Sequence, residues 1–155
     1  NNSHMEMWGS DMMELFALSK RNTPRLFPWE CSGLQEVLTE AAGLDGGATV
    51  PESVMEALQK EVPMMILSNA ARLHGAACML YPGVLVKMAD RTGGDFFILP
   101  CSVHEVILLP DTGHEYVGAL KRIVREVNGT AMAPEEILSD SLYRYDRAQG
   151  RVMII

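Results

Sequence analysis

The sequence predicts an α+β fold: a mostly antiparallel sheet of about five to six strands, from residues 64–109 and 142–155, covered by amphipathic helices. Three observations support it. The second half of the chain holds short apolar runs bounded by turn residues, which is how buried strands read. Between those runs lie stretches with apolar residues at helical spacing. The first third, residues 1–62, reads as helices and connections. A chain of 155 residues is long enough to bury roughly two-thirds of its unfolded surface. With 48% hydrophobic and 21% charged residues it has the composition of a folded chain, so residues 1–155 are taken as one α+β domain.

Asp11 and Glu14 have the spacing of a capping box, and Met12, Leu15, Phe16 and Ser19 follow on one stripe. A helix is therefore predicted over residues 11–21, ended by Thr23-Pro24, because proline disfavours a helical conformation in the residue before it. Pro28 keeps the next segment irregular, with Trp29 packed there. From Ser32, the spacing of Leu34, Val37, Leu38 and Ala41 predicts a second helix, closed by Gly43. Residues 44–50, with Asp45-Gly46-Gly47, read as a flexible connection and the place for a hinge. Val54, Met55 and Leu58 suggest a short helix over 51–60, opened by Pro51.

Beyond Val62 the character changes. Residues 64–67, 76–80, 96–99 and 105–109 read as strands. Between the second and third, Val84, Leu85, Met88 and Ala89 form an amphipathic helix after Pro82, stopped by Gly93-Gly94. Only residues 100–104 join the third and fourth strands, a length that favours an antiparallel hairpin. Neither strand alternates strongly, so both faces of the sheet are expected to be covered. Val117, Leu120, Ile123, Val124 and Val127 place a helix over 114–128, ending at Asn128-Gly129. Pro134-Glu135-Glu136 opens a short helical turn, and residues 142–146 and 152–155 form a closing hairpin around 147–150.

The formal charge is -7, from 20 acidic and 13 basic residues, which would repel a phosphate backbone, so no nucleic-acid partner is expected. No run approaches the ~20 apolar residues that cross a bilayer, and no signal stretch opens the chain. Cys31, Cys78 and Cys101 are odd in number and form no C-x-x-C pair; a reducing cytoplasm fits them best. The chain opens Asn1-Asn2-Ser3-His4-Met5. Ser3-His4-Met5 reads either as a cloning remnant before a start at Met5 or as native sequence of a longer, truncated protein.

The densest set of reactive groups is Cys101, Ser102, His104 and Glu105, around the expected hairpin turn. Such a set could serve a hydrolase, with His104 as base, Ser102 or Cys101 as nucleophile and Glu105 as orienter, if geometry brings them together. The bland alternative is that Ser102 caps the turn, Cys101 packs as a small apolar residue, and His104 and Glu105 satisfy backbone groups. No metal site is expected: Leu108 stands where H-E-x-x-H needs its second histidine, leaving only an approach by His74 or His114 through the fold. Asp45-Gly46-Gly47 and Thr92-Gly93-Gly94-Asp95 match no phosphate cradle and no cofactor is expected. Lys121, Arg122 and Arg125 are accompanied by Glu115 and Glu126, as on a solvated face. Tyr143, Arg144 and Tyr145 alternate on an expected edge strand, where Tyr143 and Tyr145 form either a ladder over the sheet or a peptide-binding edge. Eleven methionines supply adaptable packing, or a docking groove.

Several stretches together resemble a known family. They are Met7-Trp8-Gly9, Asn22-Thr23-Pro24-Arg25-Leu26, Gly75-Ala76-Ala77, Leu80-Tyr81-Pro82-Gly83-Val84-Leu85 and Ile98-Leu99-Pro100. His104-Glu105-Val106, Glu126-Val127-Asn128 and Leu138-Ser139-Asp140, with Tyr143 and Tyr145, continue the pattern. The chain resembles an uncharacterised bacterial family, domain of unknown function 5688, over most of its length and least between 44 and 61. The resemblance implies that this is the C-terminal part of a longer protein. It also implies serine as the usual residue at position 101, which weakens Cys101 as an essential nucleophile. It supplies no reaction, ligand or partner. The expectation is a non-catalytic interaction or regulatory module with a protein or peptide partner and no defined oligomeric state; the alternative is the small hydrolase.

Overall fold

The computed structural model describes residues 2–33, 63–100, 102–113, 117–130 and 132–155. Six strands form one antiparallel sheet: β1 Trp29–Gly33, β2 Met65–Asn69, β3 Phe96–Leu99, β4 Val106–Pro110, β5 Tyr143–Asp146 and β6 Arg151–Ile154. Their order across the sheet is β1-β2-β4-β3-β5-β6. Four α-helices are described: α1 Asn2–Trp8, α2 Met12–Leu26, α3 Val84–Thr92 and α4 Val117–Thr130. Two 3-10 turns, Gly75–Leu80 and Pro134–Glu136, complete the set.

The topology follows from two interlocked crossovers. β2 and β3 both pair antiparallel with β4, so they run parallel to each other with β4 between them, joined through α3. β4 and β5 both flank β3 and are joined through α4. Both connections step in the same direction across the sheet, but on strands of opposite sense. Crossovers of one hand must then lie on opposite faces of the sheet. Met65, Leu67, Phe96, Ile98, Val106, Leu108 and Tyr145 pack with Val84, Met88 and Ala89 of α3 on one face. Met64, Ile66, Phe97, Leu99 and Leu109 pack with Leu120 and Val124 of α4 on the other. Both faces of the central strands are thus covered, which is why they read as continuous apolar runs.

The hairpin from β3 to β4, the closing β5–β6 hairpin and the helices α3 and α4 lie where periodicity put them, with α3 capped by Gly93 at φ +80. Three expectations change. Residues 76–80 form a 3-10 turn and not a strand: Ala77 N–H donates to His74 O and Tyr81 N–H to Cys78 O, so local i→i−3 bonds satisfy this backbone. An apolar run alone does not separate those two outcomes. β1 adds an outer strand from within the N-terminal third, and Ser32 and Gly33 lie in it instead of opening a helix. The clue was Trp29-Glu30-Cys31, in which Trp29 and Cys31 pack on the α3 face while Glu30 is exposed. Helix α2 runs past Pro24 to Leu26; Phe27 N–H still donates to Thr23 O at 2.8 Å, so one missing donor near the C-terminus does not end it. The rest of the second expected helix, the 44–50 connection and the 51–60 helix lie outside the described residues.

Candidate functional site

The loop from β3 to β4 meets the 69–75 turn at one end of the central strands. Asn69 ends β2, and its side chain clasps Leu73 by both its amide and its carbonyl: Nδ2 donates to Leu73 O and Oδ1 accepts from Leu73 N–H. This winds the turn so tightly that Arg72 and His74, both at φ 49, enter the left-handed region that non-glycine residues avoid. Gly75 then lets the turn lie flat against the loop. A Cβ there would sit 2.5 Å from His104 O and 2.7 Å from Asn69 N, and would collide with Ser68 Oγ. Ser68 Oγ–H donates to His104 O at 2.8 Å, and Ala76 N–H to Val103 O at 3.3 Å. Val103 N–H donates to Glu136 O, tying the 134–136 turn to the same corner.

His104 stands at the centre. Its Nδ1 accepts the backbone N–H of His74 at 3.1 Å, and the two imidazole rings stack with centroids 5.4 Å apart. An Nδ1 that accepts leaves the proton of a neutral ring on Nε2. Nε2 lies 3.8 Å from Glu136 Oε1. The carboxylate opposite the ring is therefore that of Glu136. Glu105 contributes its carbonyl, which accepts Ser102 N–H. Ser102 is buried, and its Oγ accepts the backbone N–H of His104 at 3.0 Å, a local serine turn and not a contact with the ring. Cys101 lies outside the described residues. The sequence offered His74 only as an approach through the fold, in a metal site that is not expected, and Glu136 did not stand out as a partner of the ring. Both come from segments remote in the chain and carry no spacing signal. Among the described residues no group of three His, Cys, Asp or Glu side chains could hold a metal ion, and His114 lies outside them.

Tyr143 and Tyr145 lie on β5, which runs between β3 and β6 and is not the expected edge; the edges of the described sheet are β1 and β6. Tyr145 is buried and stacks on Phe96, with centroids 5.1 Å apart. Tyr143 is half-buried against the same core, its hydroxyl 2.8 Å from Ser139 Oγ. Arg144 points to the opposite face. Its Nε donates to Asp111 Oδ2 and its Nη2 to Asp95 Oδ2, both at 2.6 Å, at the far end of the central strands from His104. Asp111, then the other nearby carboxylates, hold this guanidinium above its ordinary range.

Cys78 and Tyr81 lie in the core and Cys31 packs against it. Burial raises the Cys31 and Cys78 thiols above their ordinary range. Burial, and then a hydrogen bond with Cys78, push the Tyr81 phenol up to about 12. Its hydroxyl donates to Phe27 O and so ties the end of α2 to the core.

The helical pair beyond that tie has a different surface. α1 ends at Gly9, at φ +62, and Asp11 caps α2 by accepting Glu14 N–H at 2.8 Å. Leu15, Leu18 and Asn22 are the half-buried side of α2, whereas Met12, Met13 and Phe16 are exposed. Of the expected stripe only Leu15 is half-buried; Met12, Phe16 and Ser19 are exposed. Met7 and Trp8 of α1 add to the exposed apolar surface.

Among the described residues, no helix is long and apolar enough to cross a membrane. Neither a curated protein nor a solved structure matches the chain. A family model described as Family of unknown function (DUF5688) matches residues 1–147, a span that takes in the helical pair, β1 to β5 and both ends of the central strands, and the protein belongs to that family.

Proposed function

We propose that the protein is a non-catalytic interaction or regulatory module, working in a bacterial cytoplasm, and that α1 and α2 supply the surface its protein partner covers. One observation carries this reading: Met7, Trp8, Met12, Met13 and Phe16, five large apolar side chains on consecutive helices, are each more than half exposed. Single exposed apolar residues are ordinary, whereas five large ones within ten residues of chain supply the apolar area that a contact surface needs. Methionine suits such a surface because its unbranched, polarisable side chain repacks against differing partners. The -7 charge supports a protein partner over a nucleic acid.

The experiment is site-specific photo-crosslinking from position 13 in the cells that make the protein, with and without Phe16→Glu. The expected result is one recurrent protein adduct, lost in the Phe16→Glu chain while its circular dichroism is unchanged. No adduct, or adducts indifferent to Phe16→Glu, would remove the reading. Ester or amide turnover abolished by both Ser102→Ala and His104→Asn would replace it with the hydrolase, in which His104 serves as base for Ser102.

A further inference from the structure

We propose that His104 is a proton-operated latch on the 69–75 turn: neutral, its Nδ1 holds the turn against the β3–β4 loop, and protonated, it releases it. The inference goes beyond the interaction reading and does not depend on it.

The geometry makes the bond conditional on charge. A neutral imidazole has one acceptor nitrogen, and here that acceptor receives the His74 N–H at 3.1 Å. A protonated imidazole has two donors and no acceptor. Adding the proton therefore does more than weaken this bond. It sets two N–H groups against each other across the same gap. On the other side of the ring, the new charge is drawn to Glu136 Oε1, 3.8 Å from Nε2. A move of the ring toward Glu136 is a move away from His74. Among the described residues, the titratable groups in contact with the ring are Glu136, from the 134–136 turn, and His74, from the latched turn itself; β2 presents the neutral Ser68 to the same loop. Were His74 protonated as well, two cations would face each other across a 5.4 Å stack, which also drives the turn outward.

The turn is poised to respond. Arg72 and His74 hold left-handed conformations that the surrounding contacts must maintain. Once the His74 N–H loses its acceptor, the Asn69 clasp on Leu73 and the Ala76–Val103 bond remain to oppose that strain. β2, β3 and β4 keep their ladders, so the release is local.

The test is hydrogen exchange with NMR detection on the whole chain, with protection factors followed from about pH 8 to about 5.5, the range in which imidazoles titrate. Protection of the His74 and Ala77 amides is expected to fall about tenfold as the pH is lowered, while Ile98 and Leu108 stay protected. His104→Asn keeps an acceptor near the Nδ1 position and removes the titration, so its turn is expected to stay protected throughout. Turn protection that is unchanged while the His104 ring titrates overturns the latch. A fall of the same size in His104→Asn overturns it equally.

Discussion

Met88 on α3 is fully buried between helix and sheet, whereas Met13 on α2 is 74% exposed. The same residue type does two jobs in one chain. In the sheet and its covering helices, apolar side chains from both strand faces meet a helix, and the stability of the fold comes from that burial. In the N-terminal pair, capping and intrahelical bonds fold the helices, Tyr81 fastens their end at Phe27, and much of the apolar surface is left over. The difference separates where the fold is held from where a partner would be met. Substitutions in the sheet should damage stability, and substitutions in the helical pair should damage contact alone.

Phe97→Ala gives the largest expected loss. Phe97 is almost wholly buried on the α4 face, and its removal should cost about 3–5 kcal/mol in urea unfolding. A loss below about 1 kcal/mol would mean that the α4 face is loosely packed and the contrast with α2 is false. Arg144→Ala comes next. It strands the Asp111 carboxylate, whose side chain is 6% exposed, and should cost about 3 kcal/mol. The Arg147–Asp90 pair is about half exposed at both ends, so Arg147→Ala should be near neutral. Equal losses for the two arginines would erase the distinction between buried and solvated ion pairs.

A pH profile probes the tie between the two regions. The folded chain holds the Cys31 and Cys78 thiols above their ordinary 9.0 and the Tyr81 phenol at about 12, against an ordinary 10.0. These acids ionise first in the unfolded chain, so stability present below pH 9 should be lost as pH rises through about 12. Tyr81→Phe should flatten the upper part of that slope, and an unchanged slope would take Tyr81 out of the account. The smallest effect is expected for Phe16→Glu, within about 0.5 kcal/mol of the parent chain. A large loss there would show that the helical pair is part of the core.

Periodicity made most of the sheet legible because strands covered on both faces must be apolar throughout: Phe96–Leu99 was readable to the residue. Strand β1 was harder to read because it has only five residues, from just after Pro28 to Gly33, and one exposed glutamate between Trp29 and Cys31 is a short alternation. The 3-10 turn at Gly75–Leu80 was misread because small apolar residues fit a tight turn as readily as a strand. At the candidate site, His104 and Ser102 stood out as chemistry; His74 was named only as an approach through the fold, and Glu136 not at all as a partner. His74 reaches the ring through a turn that only Gly75 permits, and Glu136 through a segment after α4. Such contacts are set by tertiary packing, and no local pattern encodes them. Which side of α2 is packed was also hidden, because Leu15, Leu18 and Phe16 are equally apolar.

The methionines allow the contrast to be measured within one molecule. Brief peroxide treatment of the isolated protein, followed by mass-spectrometric quantification, reports how accessible each thioether is. Met7, Met12 and Met13 should oxidise early and Met65 and Met88 late, with the circular dichroism of the chain unchanged while only the first group has reacted. Oxidation of Met12 and Met13 at the pace of Met88 would mean that the helical pair is covered, and the surface assigned to a partner would not exist.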